Sequence, residues 1–430
     1  MSRLLIKHAR VVDPTQKLDH GLDLLLVDGR VEKLAERIQD GRAEVLDATG
    51  LVAAPGFVDI HVHLREPGYE YKETVATGSA AAVAGGFTAV CCMPNTQPVI
   101  DNAAVVEFVR SRAAEVGLAR VYPIGAVSKG LAGEELAEVG EMVRAGAVAF
   151  SDDGKPVHNA QLMRKVLEYA SLFGAPVIDH CEDAHLNAGG VMHEGAASTR
   201  LGLRGIPAAS EEIMVARNAA LAELTGGHVH IAHLSTRGAV ERVREARARG
   251  ARVTCEVTPH HLALTDQAVV DSDYDTNTKM NPPLRSTEHV EALIGAVRDG
   301  TVDCFATDHA PHHDDEKALE FDLAPFGVVG LETAIPVTYD LLVRRHKLPL
   351  RRFVALWSSN PARLFRLPGG TLAPGSPADV TLFDPDAHDV VDPERFRSRS
   401  RNTPFTGQRL RGWPVATIVG GKVVWQRRHR

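Results

Sequence analysis

The chain has 430 residues and a formal net charge of −7, with 44% of its residues hydrophobic and 24% charged. A chain of this size can bury a large core and divide into one large and one small domain. The negative charge gives no electrostatic reason to expect a nucleic-acid partner, and no apolar run approaches the ~18 residues of a membrane span.

Short strand segments are predicted at both ends of the chain. They cover residues 4–12, 22–34 with a turn at Asp28-Gly29, 378–383, and 415–425 with a turn at Gly420-Gly421. We expect residues 1–53 and 366–430 to pair into one small β-sandwich domain. We interpret this domain as a structural platform without chemistry.

Between these ends, eight apolar runs of strand length stop abruptly at polar residues. They are residues 57–63, 88–95, 120–127, 147–153, 176–180, 229–233, 252–258 and 302–309. Stretches with helical spacing lie between most of them, at residues 74–84, 103–116, 159–173, 211–224 and 237–249. Eight alternating units within residues 54–365 favour an α/β fold, a closed (β/α)₈ TIM-like barrel, over an open doubly wound sheet.

The five cysteines are odd in number and show no C-x-x-C spacing. They lie in or just after the predicted strands, which predicts reduced core thiols in a cytoplasmic protein. Residues 1–10 lack the apolar core of a secretory signal, which agrees with this location. No G-x-x-x-x-G-K-[ST] motif is present, so we expect no nucleotide cofactor.

His61 and His63 stand at the end of the first barrel run. Alternate residues of a strand point to the same face, so the pair aims two imidazoles at one point. In a chain with 20 histidines, two ordinary strand histidines are the alternative. Other metal-ligand types stand at the ends of the fourth, fifth, sixth and eighth runs, namely Asp153, His180, His233 and Asp308. Because the carboxyl ends of barrel strands share one mouth, these positions predict a metal centre there.

Several segments resemble dihydroorotases, cyclic amidohydrolases of pyrimidine biosynthesis. The signature segments are D-I-H-V-H-L-R-E-P at residues 59–67 and A-T-D-H-A-P-H-H-D-D-E-K at residues 306–317. Five shorter matches follow the same order: C-M-P-N at 92–95, F-S-D-D-G at 150–154, D-H-C-E-D at 179–183, H-I-A-H-L-S at 230–235 and K-M-N-P-P-L-R at 279–285. Together they are spread along most of the chain, from residue 59 to residue 317, and indicate the bacterial type I enzyme of the amidohydrolase superfamily.

The resemblance implies a reversible, zinc-dependent interconversion of N-carbamoyl-L-aspartate and (S)-dihydroorotate. It implies two Zn²⁺ per chain, one held by His61, His63 and Asp308 and the other by His180 and His233, with Asp153 and a hydroxide bridging them. A metal-bound hydroxide would attack the ring amide carbonyl while Asp308 acts as general acid and base. Many relatives use a carbamylated lysine as the bridge, and Lys155 is the alternative candidate here.

The substrate carries a carboxylate, and Arg65 lies two residues beyond His63, where a guanidinium fork can bind it. The resemblance adds His63, Asn95, Asn281, His312, Phe326 and Gly327 as substrate-binding residues. Asn95 could equally form a turn before Thr96. The charged, Pro-containing stretch at residues 310–327 is typical of a loop that covers a barrel mouth.

Two other functions stay open from the sequence. One is a hydantoinase- or allantoinase-like amidohydrolase with the same barrel, although most of these use the lysine bridge and their ring would leave Arg65 without a carboxylate. The other is an inactive dihydroorotase-like scaffold for aspartate transcarbamoylase, although such subunits lose metal ligands. The resemblance also implies a homodimer and leaves association with aspartate transcarbamoylase open.

Overall fold

The computed structural model describes residues 2–427. Its strands are β1 Arg3–Asp13, β2 Leu18–Val27, β3 Arg30–Ala35, β4 Glu44–Asp47, β5 Val52–Pro55, β6 Phe57–Val62, β7 Phe87–Cys92, β8 Arg120–Pro123, β9 Val177–Asp179, β10 Met192–His193, β11 Gly205–Ile206, β12 Val229–Ile231, β13 Val253–Val257, β14 Cys304–Phe305, β15 Val380–Val390, β16 Arg409–Val419 and β17 Lys422–Gln426.

Its α-helices are α1 Val75–Ala84, α2 Ala103–Val116, α3 Val139–Ala145, α4 Ala160–Ser171, α5 Ala184–Asn187, α6 Ala196–Leu201, α7 Ala208–Thr225, α8 Arg237–Ala248, α9 Pro259–Ala263, α10 Gln267–Asp271, α11 Thr287–Asp299, α12 Asp314–Lys317, α13 Ala334–Thr338, α14 Leu350–Trp357 and α15 Ser359–Leu364. Short 3₁₀ turns cover Lys129–Leu131, Thr276–Thr278 and Pro393–Arg395, and a π-helical segment covers Tyr339–Arg345. Within the described range, no helix is both long and apolar enough to span a membrane.

The two ends of the chain form one sheet, as the sequence predicts. Its strand order is β17-β16-β15-β5-β1-β2-β3, and β4 also pairs with β1. Both predicted hairpin turns are present, with positive φ at Asp28 and Gly29 and at Gly420 and Gly421, the conformation that a two-residue turn requires. Apolar residues of β1 and β2 share one core with those of β15 and β16.

The barrel strands are parallel and fall into two sheets, β6-β7-β8 and β14-β13-β12-β9. Parallel bridges connect the sheets at both junctions, through Phe150 to Gly125 and Val177 on one side and through Val62 to His309 on the other. The helices that follow the strands include α1, α2, α4, α7 and α8, each within a few residues of its predicted range. The α/β barrel expected from the sequence is therefore present.

The fourth and eighth predicted strands fall furthest short of their expected length. The run at 147–153 forms only a bridge at Phe150, and the run at 302–309 forms β14 and a separate bridge at His309. In both, the polar residues bend away from the ladder to reach the mouth. The five cysteines are buried and free, as predicted. The proposed domain boundaries after residues 53 and 365 remain predictions, and β5 crosses the first of them.

A β-bulge in β6 determines which way the residues at the end of this strand point. The register of β6 against β7 shifts between Asp59 and Val62. Val58 and Ile60 lie in the inner cluster of the barrel, and His61 and His63 follow towards the mouth. The extra residue reverses the alternation of the strand, so a strand whose apolar residues point inward ends in two imidazoles that also point inward. Bulges next to active sites commonly redirect side chains in this way.

Candidate metal centre and substrate pocket

All six predicted metal-ligand residues meet at the barrel mouth. Their ligand atoms form three overlapping buried groups, each with atoms within 4.8 Å of one another: His61, His63 and Asp153; His61, His233 and Asp308; Asp153, His180 and His233. Asp153 and His233 each belong to two groups, as does His61. Residues from five separate stretches of chain thus converge as the sequence predicts.

Two imidazoles of the first group face two carboxylates. His61 Nε2 lies 3.3 Å from Asp153 Oδ1 and 3.5 Å from Asp308 Oδ1. His63 Nε2 lies 3.1 Å from Asp308 Oδ1 and 3.4 Å from Asp153 Oδ2. One ion among these four side chains, with one atom from each, would have two nitrogen and two oxygen ligands, a set that suits zinc.

The third group, which contains His180 and His233, joins the first through Asp153. His180 Nδ1 and His233 Nε2 lie 2.9 Å apart, and His233 Nε2 lies 3.9 Å from Asp153 Oδ1. The carboxylate of Asp153 therefore faces both groups, one oxygen towards His63 and the other towards His61 and His233. This is the position that a bridging carboxylate would occupy.

Buried atoms without hydrogen-bond partners support a cation at this place. Among residues 2–427, His61 Nε2, Asp153 Oδ1 and His233 Nδ1 find no hydrogen-bond partner, and they are shielded from solvent. Buried polar atoms are otherwise almost always hydrogen bonded, and exceptions commonly mark an ion or a functional site. The residues present fit a zinc pair.

The charges of the cluster are strongly coupled. Burial lowers the pKa of His233 to about 3, assisted by His180 and His61. Burial also opposes ionisation of Asp153, but the histidines around it hold its pKa well below the ordinary range. For His61, burial favours the neutral form, yet Asp153, Glu256 and Asp308 raise its pKa well above the usual value. A cation would take the place of that proton.

Glu256 is a site residue that the sequence reasoning missed. It lies on β13 and is fully buried, and its Oε1 accepts a hydrogen bond of 2.7 Å from His61 Nδ1. Its Oε2 lies 3.2 Å from His230 Nε2. Burial opposes ionisation, but His61 and His230 lower the pKa of Glu256 to about 2. A carboxylate that holds the second nitrogen of a ligand histidine fixes its tautomer and ring orientation.

Asn95 and Asn281, which the resemblance assigns to substrate binding, contact histidines of the cluster. Asn95 Oδ1 accepts a hydrogen bond of 2.9 Å from His63 Nδ1, so Asn95 orients that ring. Asn281 Nδ2 lies 3.2 Å from His180 Nε2 and donates to Glu182 Oε2 at 3.1 Å. Its buried Oδ1 has no partner, so it has a free acceptor.

The backbone is strained at three site residues. Arg65, His233 and Asp308 have φ values of 61°, 32° and 49°, in the left-handed region that side chains other than glycine seldom adopt. Such strain persists only where the surrounding structure enforces it, and it concentrates at functional sites. Here it turns side chains at or just beyond strand ends into the mouth.

Arg65 is close to the cluster and half-buried. Its Nε donates to Pro311 O at 3.2 Å, and Nη2 lies 3.4 Å from His312 Nε2. Within residues 2–427 no carboxylate forms an ion pair with it. Burial lowers the pKa of Arg65, while Asp308 and Asp153 oppose that effect. An arginine desolvated without a carboxylate partner is prepared to bind one from a ligand.

The other predicted substrate residues lie around Arg65. His312 Nε2 donates to Phe326 O at 2.8 Å. Burial lowers the pKa of His312 strongly, and the positive charges of Arg65, Lys72 and Lys317 add to this effect. Gly327 has a φ of +119°, and a Cβ there would lie 2.7 Å from the Cβ of Ala310. This side of the mouth therefore has a positive electrostatic potential, and the chain at Gly327 passes close to Ala310 there.

Lys155, the alternative bridge, lies outside the cluster, and two neighbouring polar residues have other surroundings. Lys155 is exposed, so it is not placed to bridge two metals. Asp152 accepts hydrogen bonds from the amides of Val127 and Ser128 and fixes the neighbouring loop. His260 is buried, and its Nε2 has no partner.

The comparisons with known proteins agree with the resemblance. A family model described as "Dihydro-orotase-like" matches residues 50–239. A protein named dihydroorotase from Pelotomaculum thermopropionicum is 56% identical to this chain over 99% of both chains. One with the same name from Anaeromyxobacter dehalogenans is 58% identical over 98% of this chain and 97% of the relative.

Among solved structures, the L-hydantoinase (dihydropyrimidinase) from Arthrobacter aurescens aligns with a TM-score of 0.88 and 26% identity over 99% of this chain and 96% of that one. It shares the barrel and the flanking sheet at much lower identity than the relatives named dihydroorotase. With more than half of its residues identical to those relatives over nearly its whole length, the chain belongs to the dihydroorotase family.

Proposed function

We propose that this protein interconverts N-carbamoyl-L-aspartate and (S)-dihydroorotate in pyrimidine biosynthesis. The observation that carries the proposal is the pairing of two features in one mouth. Five metal-ligand side chains surround Asp153, the sixth, and a half-buried arginine that forms no ion pair within residues 2–427 lies beside them. The first feature suits hydrolysis of a cyclic amide, and the second selects a ring that carries a carboxylate.

The metal centre would be held entirely by this chain. His61, His63 and Asp308 would hold one zinc, His180 and His233 the other, and Asp153 both. When bound, the pair would supply a Lewis acid for the amide carbonyl and a water activated at neutral pH. Glu256 and Asn95 would hold His61 and His63 in the orientation that this binding requires.

Asp308 would move the proton. Burial opposes its ionisation, but the neighbouring histidines, His61 first, lower its pKa, so the carboxylate is ionised and can accept. In ring opening it would take the proton of the attacking water and deliver it to the departing ring nitrogen. In ring closure the same oxygen would act in the opposite order.

Arg65 would bind and orient the substrate carboxylate. Its free guanidinium nitrogens allow a charge-assisted contact with the carboxylate. His312, Asn281 and the backbone at Phe326 and Gly327 would contact the rest of the ring. This assignment supports dihydroorotate over a hydantoin, which lacks the carboxylate.

The decisive experiment is a metal count on protein purified without chelator, together with assays on dihydroorotate and hydantoin before and after metal removal. We expect near two zinc ions per chain and dihydroorotate turnover that disappears on stripping and returns with zinc. Faster turnover of hydantoin would identify a hydantoinase. Absence of turnover in the zinc-loaded protein would identify a scaffold, for which binding to aspartate transcarbamoylase is the next measurement. Sedimentation tests the homodimer that the family implies.

A further inference from the structure

A segment of the C-terminal region reaches the substrate side of the barrel mouth. Residues 397–403, the strap segment, lie between the Pro393–Arg395 turn and β16. Although they belong to the region that supplies β15 and β16, their contacts are with barrel loops. From the sequence alone, this region is expected to be a structural platform without chemistry.

Asn402 makes the contacts nearest the pocket. It is 4% exposed, and its Nδ2 donates to Ala310 O and to Gly327 O, both at 3.1 Å. Its Oδ1 accepts from His312 N at 3.3 Å, and its backbone oxygen accepts from Val329 N at 2.8 Å. One residue thus ties together the two ends of the 310–327 loop.

The rest of the strap segment is firmly attached to the barrel. Ser398 Oγ and Arg399 N donate to Glu73, at 2.5 and 3.1 Å. Glu73 also lies 3.2 Å from His309 Nε2, next to Asp308. The amides of Arg397 and Ser398 donate to Glu332 Oε1 at 2.7 and 3.0 Å. Asn402 is therefore held from a rigid neighbourhood.

Two lysines support the same loop from its other side. Lys317 Nζ donates to Pro325 O at 3.0 Å and to Gly327 O at 3.1 Å. Lys279 Nζ donates to Asp322 O at 3.0 Å and to Ala324 O at 2.7 Å. The carbonyl of Gly327 thus accepts from both Lys317 and Asn402, and the loop has donors on both sides.

We infer that Asn402 is a positioning residue for the substrate pocket, an inference that rests on the proposed function. It holds His312 and the backbone at Phe326 and Gly327 where they face the substrate. The small β domain thereby contributes to substrate binding through the strap segment, without contacting substrate itself. Removing the side chain leaves the carbonyls of Ala310 and Gly327 and the amide of His312 without these partners, which loosens the loop.

The test compares Asn402→Ala with Asn360→Ala. Asn360 Nδ2 also donates to a barrel carbonyl, that of Asp303 at 2.7 Å, but this carbonyl precedes β14 and lies away from the mouth. For Asn402→Ala we expect the KM for dihydroorotate to rise on the order of tenfold, with kcat changed by less than about threefold and zinc content unchanged. Asn360→Ala should keep the wild-type KM.

Hydrogen exchange supplies a readout that does not need turnover. Amides of residues 310–329 should exchange faster in Asn402→Ala than in the wild type or Asn360→Ala, while those of β6 and β7 stay unchanged. If Asn402→Ala does not fold, Asn402→Asp keeps the acceptor for His312 and removes both donors. Wild-type KM or wild-type exchange of this loop in the folded variant would overturn the inference. A wild-type protein that does not turn over dihydroorotate would instead overturn the proposed function, and the exchange comparison would still decide the role of Asn402.

Discussion

His61 donates its Nδ1 proton to Glu256 across 2.7 Å, and its Nε2 faces Asp153 without a hydrogen bond. The pair fixes the tautomer that a metal ligand needs. We expect Glu256→Gln to weaken zinc binding about 10- to 100-fold, because an amide is a weaker acceptor and its nitrogen cannot accept from His230. Zinc affinity measured against a competing chelator checks this.

Glu211→Gln is the matched control, since Glu211 is also buried and accepts from the amides of Ser235 and Thr236 but hydrogen-bonds none of the six cluster side chains within residues 2–427. Equal zinc affinity in Glu256→Gln and the wild type would remove Glu256 from the centre.

Asp308→Asn should abolish most turnover while the protein stays folded. The amide keeps the shape of the side chain but cannot accept the proton, which costs about 10²- to 10⁴-fold in kcat. The measurement is kcat in both directions at equal zinc content. A folded, zinc-loaded variant with wild-type kcat would show that another group moves the proton.

Arg65→Gln should raise the KM for dihydroorotate about 10- to 100-fold, because a charge-assisted hydrogen bond to the substrate carboxylate is lost. Dihydrouracil, which has the ring without the carboxylate, should be turned over equally poorly by both proteins. Arg164→Gln is the control, since that guanidinium pairs with Glu168 on the exposed face of α4. An unchanged KM would place the carboxylate elsewhere.

The equilibrium should shift with pH in a fixed direction. Closing the ring converts a carboxylate and a ureido nitrogen into a neutral imide and water, so closure takes up one proton. Acidic solution therefore favours dihydroorotate, and the ratio of closed to open product should rise about tenfold for each unit that the pH falls while the groups stay ionised. Chromatography of equilibrated mixtures at several pH values measures it, and a constant ratio would mean that the substrate pair is different.

Glu332, which accepts hydrogen bonds from the strap segment, should make the free energy of unfolding depend on pH. Burial, with the nearby charge of Glu73, raises its pKa from 4.5 to about 8, while the amides of Ser398 and Arg397 oppose the shift. Between these values the folded protein binds the proton and the unfolded chain releases it. Stability from this group is therefore lost as the pH rises.

Glu332→Gln removes this dependence and keeps the acceptor for both amides. We therefore compare the free energies of unfolding of Glu332→Gln and the wild type. The variant's value minus the wild-type value should increase between pH 5 and pH 8. A difference of one full proton would give about 1.4 kcal/mol per pH unit, and we expect part of that. Denaturant unfolding of both proteins at matched zinc measures it. A difference that does not vary with pH would show that Glu332 is ionised in the folded state.

Much of the fold was predictable because the signals are local. The helices α1, α2, α4, α7 and α8 follow their apolar spacing, and Asn102 and Gly117 mark the ends of α2 by capping it. The convergence of the six candidate ligand residues was predictable because strand ends in a barrel share one mouth. The His-x-His pair needed the other strand ends before it indicated a metal.

Other features depend on contacts that no local pattern reports. Glu256 reads as one polar residue within an apolar strand, and its role appears only when His61 lies beside it. Asn402 lies in a stretch without strand or helix spacing, in a different region from the loop that it holds. The run at 147–153 was predicted as a strand from its composition, but it bends so that Asp153 reaches the cluster.

The pairing of β5 with β15 has a consequence for biosynthesis. Val52–Pro55 leaves the ribosome early, but its antiparallel partner Val380–Val390 is made roughly 320 residues later, which takes about 15–65 s at ordinary rates of translation. Until then one edge of the first-made sheet is open to pairing with other nascent chains. Chaperone protection during that interval would therefore reduce mispairing of the nascent chain.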